Sequence, residues 1–356
     1  MKLSFLYGIR WREWWQLLHG AGFAVDVGAW PRTLLLSLFA VQNSWLARKD
    51  ARLDLDDVEV QPPIFILGHW RSGTTHLQYL LNQDPRLASP TTYQCAFPHS
   101  FLHSESWHRP RLERFGPRGR PQDRMHVDLD SPQEDEMALA LMCLRSPYLG
   151  WAFPRLESRY RRYLSFAEAS DEDRQEFQEA LRRFVRKLSY RYRRPLVLKS
   201  PCHTARLPML RSAFPHARYV LLTRNPYEVF QSSLYFHQSW KRAFAFLQRP
   251  DVMDLEERVL SLYEEMYEHF FADEASLPPD RYHVMRFEDL KVDAIGEMRR
   301  LYAALGLEDF PERALRDYLS RLAGYQQNRY PPLSADLKAV VAERWERTFR
   351  AWGYPV

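Results

Sequence analysis

Cysteine is scarce in this chain: three residues in 356 (Cys95, Cys143 and Cys202) are too few and too scattered for a disulfide framework. They point to a reducing compartment and read as small core residues. Long apolar runs are missing as well. Met1 to Gly22 mixes Arg10, Arg12 and Glu13 with tryptophans, unlike the clean apolar centre of a secretory signal. The best spanning candidate, Thr33 to Ala47, is about 15 residues long and holds Gln42, Asn43 and Ser44, short of the ~20 apolar residues that cross a bilayer. Neither a Cys/His finger spacing nor a basic stripe interleaved with stacking aromatics occurs, which argues against nucleic acid as a partner. The expected location is cytoplasmic, with peripheral contact at a membrane surface as an option.

What the chain does contain is apolar: 46% hydrophobic and 14% aromatic residues exclude disorder as the overall state. A net charge of +5, with arginine far commoner than lysine, suits planar recognition of phosphate or sulfate groups. Near the start, Trp11, Trp14, Trp15, Leu17 and Leu18, with Phe23 and Trp30 beyond, stand beside basic residues. Two readings are open: a helix packed on the main domain, or residues 1–50 resting in a membrane interface.

After the Asp-rich linker Asp50 to Asp57, strand and helix patterns alternate, which predicts a parallel sheet flanked by helices on both faces. Candidate strands are Pro63 to Gly68, Leu196 to Lys199, Arg218 to Thr223 and Tyr282 to Phe287. The expected organisation is an N-terminal helical extension over residues 1–60 and an α/β domain over 61–356 with an insertion at about 91–193. That insertion opens with a long loop, Thr91 to Asp130, rich in Pro, His and Arg. A helix then starts at Ser131-Pro132-Gln133-Glu134, a capping-box spacing. A second, Asp171 to Arg191, carries Phe177, Leu181, Phe184, Val185 and Leu188 on one face. Further helices follow Thr204, Tyr227, Val252 and Ala294.

The chemistry-bearing stretch is "ILGHWRSGTTHLQYLLNQDP", Ile66 to Pro85. It reads as strand, tight loop and helix start, a geometry that aims backbone N–H groups and a helix dipole at one anion. Gly68 and Gly73 have the spacing of a nucleotide-triphosphate loop, but Thr74 replaces the lysine that reaches the β/γ-phosphates. "YVLLTRNPYEVFQSSLYFHQSW" repeats the logic: Arg224 ends a strand, and Ser232 lies two turns into the next helix, so both could meet one phosphate. Two anion sites on adjoining strand ends, one lacking the lysine, suit a nucleotide with phosphates at both ends of its ribose. A nucleotide kinase is the rival, and it would need both that lysine and a Mg²⁺ aspartate at a strand end. A non-catalytic membrane-surface module is another.

"RSGTT" (Arg71 to Thr75), "SPQEDE" (Ser131 to Glu136), "KSPCH" (Lys199 to His203) and "RNPYEVFQSS" together resemble the sulfotransferase superfamily, which uses 3′-phosphoadenosine 5′-phosphosulfate (PAPS), and its bacterial members above all. The resemblance runs from about Pro62 to Leu290 and extends to "YQQNRYPPLS" near the C-terminus. It implies a P-loop-like α/β fold, sulfuryl transfer to a hydroxyl or amine, PAPS as co-substrate and no metal. By that resemblance Arg71, Ser72, Gly73, Thr74 and Thr75, with His76, hold the 5′-phosphosulfate, and Arg224 and Ser232 hold the 3′-phosphate. Lys199, by analogy with protein-tyrosine sulfotransferases, stabilises or protonates the bridging oxygen. The general base is open between His99, whose residue type suits proton abstraction near neutral pH, and Glu134 and Glu136. Cys95, His99, His103 and His108 lack the regular spacing of a closed zinc site. The aromatics Trp107, Trp151, Phe153, Trp240, Phe244 and Phe246 favour a small-molecule, lipid or glycolipid acceptor over a bare polysaccharide.

Overall fold

The computed structural model describes residues 5–113, 128–243, 247–249, 254–322 and 330–356. These divide into two compact units: residues 1–61, 90–196 and 241–253 form the first, and residues 62–89, 197–240 and 254–356 the second. The N-terminal extension and most of the insertion therefore fold as one body.

The second unit is built on four parallel strands: β1 (Ile64–Leu67), β2 (Val197–Lys199), β3 (Arg218–Thr223) and β4 (Tyr282–Arg286), in the order β2-β1-β3-β4. Each lies within a residue or so of the stretch expected from sequence. Strands β1 and β2 are buried along their whole length, which is why they read as short unbroken apolar runs rather than alternating ones. Register is set by Ile66 opposite Lys199 and Leu67 opposite Leu221. On one face Ile64, Ile66, Val220 and Leu222 pack against Leu77, Leu80 and Leu81 of the Thr74–Leu81 helix and Met298 and Leu301 of the Ala294–Ala304 helix. On the other, Phe65 stacks on Tyr219 at 5.9 Å and meets His203 edge-on at 5.4 Å. The chain leaves β1 for β2 on one side and returns to β3 on the other. That reversal opens the crevice at the strands' carboxyl ends where ligands of such sheets bind.

In the first unit, α1 (Trp11–Gly20) and α2 (Trp30–Asp50) run antiparallel, as two bonds show: the Trp11 N–H donates to Ser44 Oγ and Trp14 Nε1–H to Ser37 Oγ, both at 2.8 Å. The tryptophans divide between the two readings. Trp14, Leu17 and Leu18 are core, while Trp11 and Trp15 are exposed. The Asp171–Tyr192 helix, capped by Ser170 accepting from the Asp173 N–H, buries Phe177, Leu181, Phe184, Val185 and Leu188 completely. Each such side chain contributes about 1.5–3 kcal/mol. It also carries Lys187 inward to Asp50, 2.8 Å away and equally buried.

Two local expectations are corrected. The stretch from Thr91 holds two helices, Thr92–Ala96 and Phe101–Glu113, the first opened by a capping box in which Thr91 and Gln94 satisfy two orphan donors. Residues 114–127 lie outside the described residues. No capping box forms at Ser131: the helix there starts only at Glu136, and Ser131 Oγ instead donates to Asp128 Oδ1 at 2.7 Å. Glu134 accepts from the Tyr148 hydroxyl rather than returning to a helix start.

Candidate anion-binding site

The loop between β1 and the Thr74–Leu81 helix is bent by two glycines. Gly68 sits at φ +136° with its place for a Cβ only 2.6 Å from the Leu222 carbonyl, and Gly73 at φ +95° with that place 2.3 Å from the Phe287 ring. Neither position can carry a side chain without moving the loop. Arg71, between them, also holds φ +71°, a left-handed conformation that costs a non-glycine residue about 1–2 kcal/mol. The loop is pinned from outside by groups that the sequence motifs do not contain. Gly68 N–H donates to Thr204 Oγ1 at 2.8 Å and His69 N–H to the Tyr267 hydroxyl at 3.1 Å. Thr204 directly follows "KSPCH", whereas Tyr267 and Phe287 stand outside the quoted motifs.

Gly73 ends the loop as the N-cap of the helix, which leaves the first-turn N–H groups of Thr74 and Thr75 directed out of the helix start. Lys199, fully buried at the end of β2, reaches Thr75 Oγ1 at 3.4 Å. On the other flank three expected residues meet. Arg71 Nε donates to Ser232 Oγ at 2.9 Å, and Arg224 Nη1 donates to the Arg71 carbonyl at 2.8 Å. Arg71 thus turns toward the residues expected at the 3′ end. Ser232 also shares a 3.0 Å hydrogen bond with the Tyr330 hydroxyl, within "YQQNRYPPLS", whose residues 325–329 lie outside the described ones. Arg224 is held on its far edge by Glu228, with Nε at 3.0 Å, and lies over the Phe287 ring at 4.9 Å. His76 is partly exposed in the first turn of the Thr74–Leu81 helix, its pKa lowered by burial. Ser72 is buried within the loop. Arginine, serine and lysine side chains thus gather around a helix start, the kinds of group that pair with phosphate or sulfate oxygens.

The three candidate bases belong to the first unit. His99 is half-buried, and its Nε2 lies 3.2 Å from the Leu141 carbonyl. A carbonyl only accepts, so Nε2 carries the proton and Nδ1 keeps its lone pair. Burial, reinforced by Arg10 and Lys187, holds its pKa well below the usual histidine value. Glu136 is fully buried and accepts from Ser146 Oγ at 2.6 Å; Glu134, partly buried, takes the Tyr148 hydroxyl. Of the aromatics expected near an acceptor, Trp151 and Phe153 are buried, with Trp151 stacked on Tyr148 at 3.8 Å. Phe244 and Phe246, with the side chain of Trp240, lie outside the described residues.

Comparison with known proteins gives a family and a fold. A family model described as "Sulfotransferase family" matches residues 62–312. Two relatives named omega-hydroxy-beta-dihydromenaquinone-9 sulfotransferase Stf3, from Mycobacterium bovis and Mycobacterium tuberculosis, are each 35% identical over 353 residues, covering 98% of this chain and 90% of theirs. Among solved structures, sulfotransferase STF9 from Mycobacterium avium is similar with a TM-score of 0.69 at 18% identity, covering 98% of both chains. STF1 from Mycobacterium tuberculosis gives 0.64 at 18% identity, covering 94% of this chain and 91% of its own. At such identity the two structures speak for the fold alone.

Proposed function

This chain belongs to the sulfotransferase family, and we propose that it moves a sulfuryl group from 3′-phosphoadenosine 5′-phosphosulfate to a hydroxyl or amine of an amphipathic, lipid-like acceptor. The observation that carries the donor reading is the two-ended cradle: Lys199 beside Thr75 on one flank, and Arg71, Ser232 and Arg224 joined by hydrogen bonds on the other. When bound, the nucleotide supplies an activated sulfuryl group on a mixed anhydride. The loop's N–H groups and Thr75 would orient its 5′ end, and Lys199 would sit where negative charge grows on the departing phosphate. Arg224 and Ser232 would hold the 3′-phosphate, with Arg71 bridging the loop to that end. His99 is the base of this reading, since its Nδ1 lone pair can take the acceptor's proton; Glu134 and Glu136 are the alternatives. The lipid-like acceptor is supported by the 35%-identical relatives, whose name specifies a modified menaquinone. Contact of residues 1–50 with a membrane surface belongs to the same reading.

Calorimetry tests the donor. The protein should bind 3′-phosphoadenosine 5′-phosphate far more tightly than ATP, and equally well with EDTA present. Equal affinity for ATP, or binding abolished by EDTA, overturns the assignment. Transfer of labelled sulfate to a panel of lipid and water-soluble alcohols then tests the acceptor class.

A further inference from the structure

Helix α2 is apolar on two sides. Its inward face buries Thr33, Leu36, Ala40, Asn43 and Leu46. Its outward face carries Leu34 (62% exposed), Leu38 (71%), Val41 (55%) and Trp45 (61%) at a spacing that makes one continuous stripe. No charged residue stands between Arg32 and Arg48. A solvated helix face is ordinarily polar, so this one is built to be covered. Helix α1 widens the stripe. Trp11, whose backbone N–H donates to Ser44 Oγ of α2, stacks on Trp15 at 6.1 Å, and Trp15 meets Phe23 edge-on at 5.4 Å, all three exposed.

The charges around the stripe identify what covers it. Arg12, Arg48 and Lys49 are exposed along its margins. The carboxylates of the same segment are all engaged elsewhere: Glu13 with Arg10 (3.0 Å), Asp26 with Arg155 (2.8 Å) and Asp50 with Lys187 (2.8 Å). A second copy of the chain would set this cationic margin against itself across a two-fold contact. An anionic lipid surface neutralises it, and the indoles suit the headgroup boundary. No described helix is long and apolar enough to cross a membrane, so the pair would lie in the interface plane.

We propose that the outer face of α1 and α2 docks this protein onto anionic lipid bilayers, with Leu34, Leu38, Val41 and Trp45 entering the acyl boundary and Arg12, Arg48 and Lys49 meeting headgroups. This deepens the lipid-acceptor reading and rests on it for its purpose.

The test is co-sedimentation with phosphatidylcholine vesicles, with and without phosphatidylglycerol. Three proteins are compared: the full chain, a Leu38→Glu/Val41→Glu variant and an Arg48→Glu/Lys49→Glu variant. All four substitutions fall on exposed side chains, and thermal melting checks that each variant is folded. The full chain should sediment with the anionic vesicles, the Leu38/Val41 variant at least about tenfold less, and the Arg48/Lys49 variant should lose the preference for phosphatidylglycerol. The proposal is overturned if the full chain stays in solution with both vesicles, or if the Leu38/Val41 variant sediments like the parent. A dimer in solution that the Leu38/Val41 variant dissociates, without vesicle binding, would assign the face to self-association and overturn it too. Calorimetry of 3′-phosphoadenosine 5′-phosphate on the same samples separates the two ideas. Nucleotide binding should be equal in all three, and its absence would count against sulfuryl transfer while leaving the docking result intact.

Discussion

Arg224 is held on two edges of its guanidinium. Its Nη1 steadies the Arg71 carbonyl and its Nε is occupied by Glu228, so it is oriented before any anion arrives. Arg224→Ala should weaken 3′-phosphoadenosine 5′-phosphate by about 1.5–3 kcal/mol, the scale of a charged hydrogen bond, while changing adenosine 5′-phosphosulfate little. Equal losses for both nucleotides, measured by calorimetry, would show that Arg224 does not read the 3′ end. His99 makes a prediction of a different kind. Because its pKa lies well below the usual histidine value, the acid limb of kcat/KM should fall below pH 6.5, where an ordinary histidine base would already be half protonated. His99→Ala should lower turnover by about 10²–10⁴-fold with nucleotide affinity within a few-fold. If Glu134→Ala or Glu136→Ala does this instead in a folded protein, the base belongs to that segment.

At the level of elements, a buried ion pair, Lys187 with Asp50, stitches helices of the first unit together. Asp50, the last residue of α2, accepts from the backbone N–H groups of Leu102 (3.1 Å) and His103 (3.0 Å) at the start of the Phe101–Glu113 helix. The same carboxylate holds Lys187 of the Asp171–Tyr192 helix, whose Nζ also donates to the Pro98 carbonyl at 2.6 Å. Burial pulls the Lys187 pKa down to about 8, against the opposing pull of Asp50. Three helices therefore meet at one carboxylate. Asp50→Ala should cost about 3–5 kcal/mol in urea unfolding, because it strands a buried ammonium and uncaps a helix. Adding Lys187→Met should recover much of that loss, since the second change removes the unpaired charge. A cost within about 0.5 kcal/mol, the range of an ordinary surface substitution, would mean the pair is spectator rather than stitch.

At the scale of the whole molecule, several of the described histidines share one electrostatic condition, His69, His99 and His237 among them. Burial lowers the pKa of His69 to about 4 and drives those of His99 and His237 well below the usual value. In the unfolded chain each takes up a proton near pH 6.5, so below that pH the unfolded state binds more protons and stability falls as pH falls. The loss for His69 runs from about pH 6.5 down to its folded pKa of about 4, at up to about 1.4 kcal/mol per pH unit. Urea midpoints at pH 7 and pH 5 should differ in that direction, and His69→Asn should shrink the difference. An unchanged difference would mean that His69 is not neutral in the folded state.

The strands, the glycine-bent loop after β1 and the Asp171–Tyr192 helix were legible because each depends on neighbours in sequence. Apolar runs, glycines at positive φ and a period-3.6 stripe are local patterns with local causes. The cap at Ser131 was misread for the same reason in reverse: the right residues stood at the right spacing, but Asp128 was a nearer partner for the Ser131 hydroxyl. Other features were settled only by contacts between distant residues. Tyr267 and Phe287 shape the loop from far along the chain, and Arg71 turns toward Ser232 because the helix that follows β3 brings that hydroxyl within 2.9 Å. The tryptophans of α1 divide into one core residue and two exposed ones through the antiparallel packing of α2, which buries Trp14 against Ser37. Composition told how much apolar surface the chain would have; which part of it stayed uncovered was decided by the packing of one helix face on another.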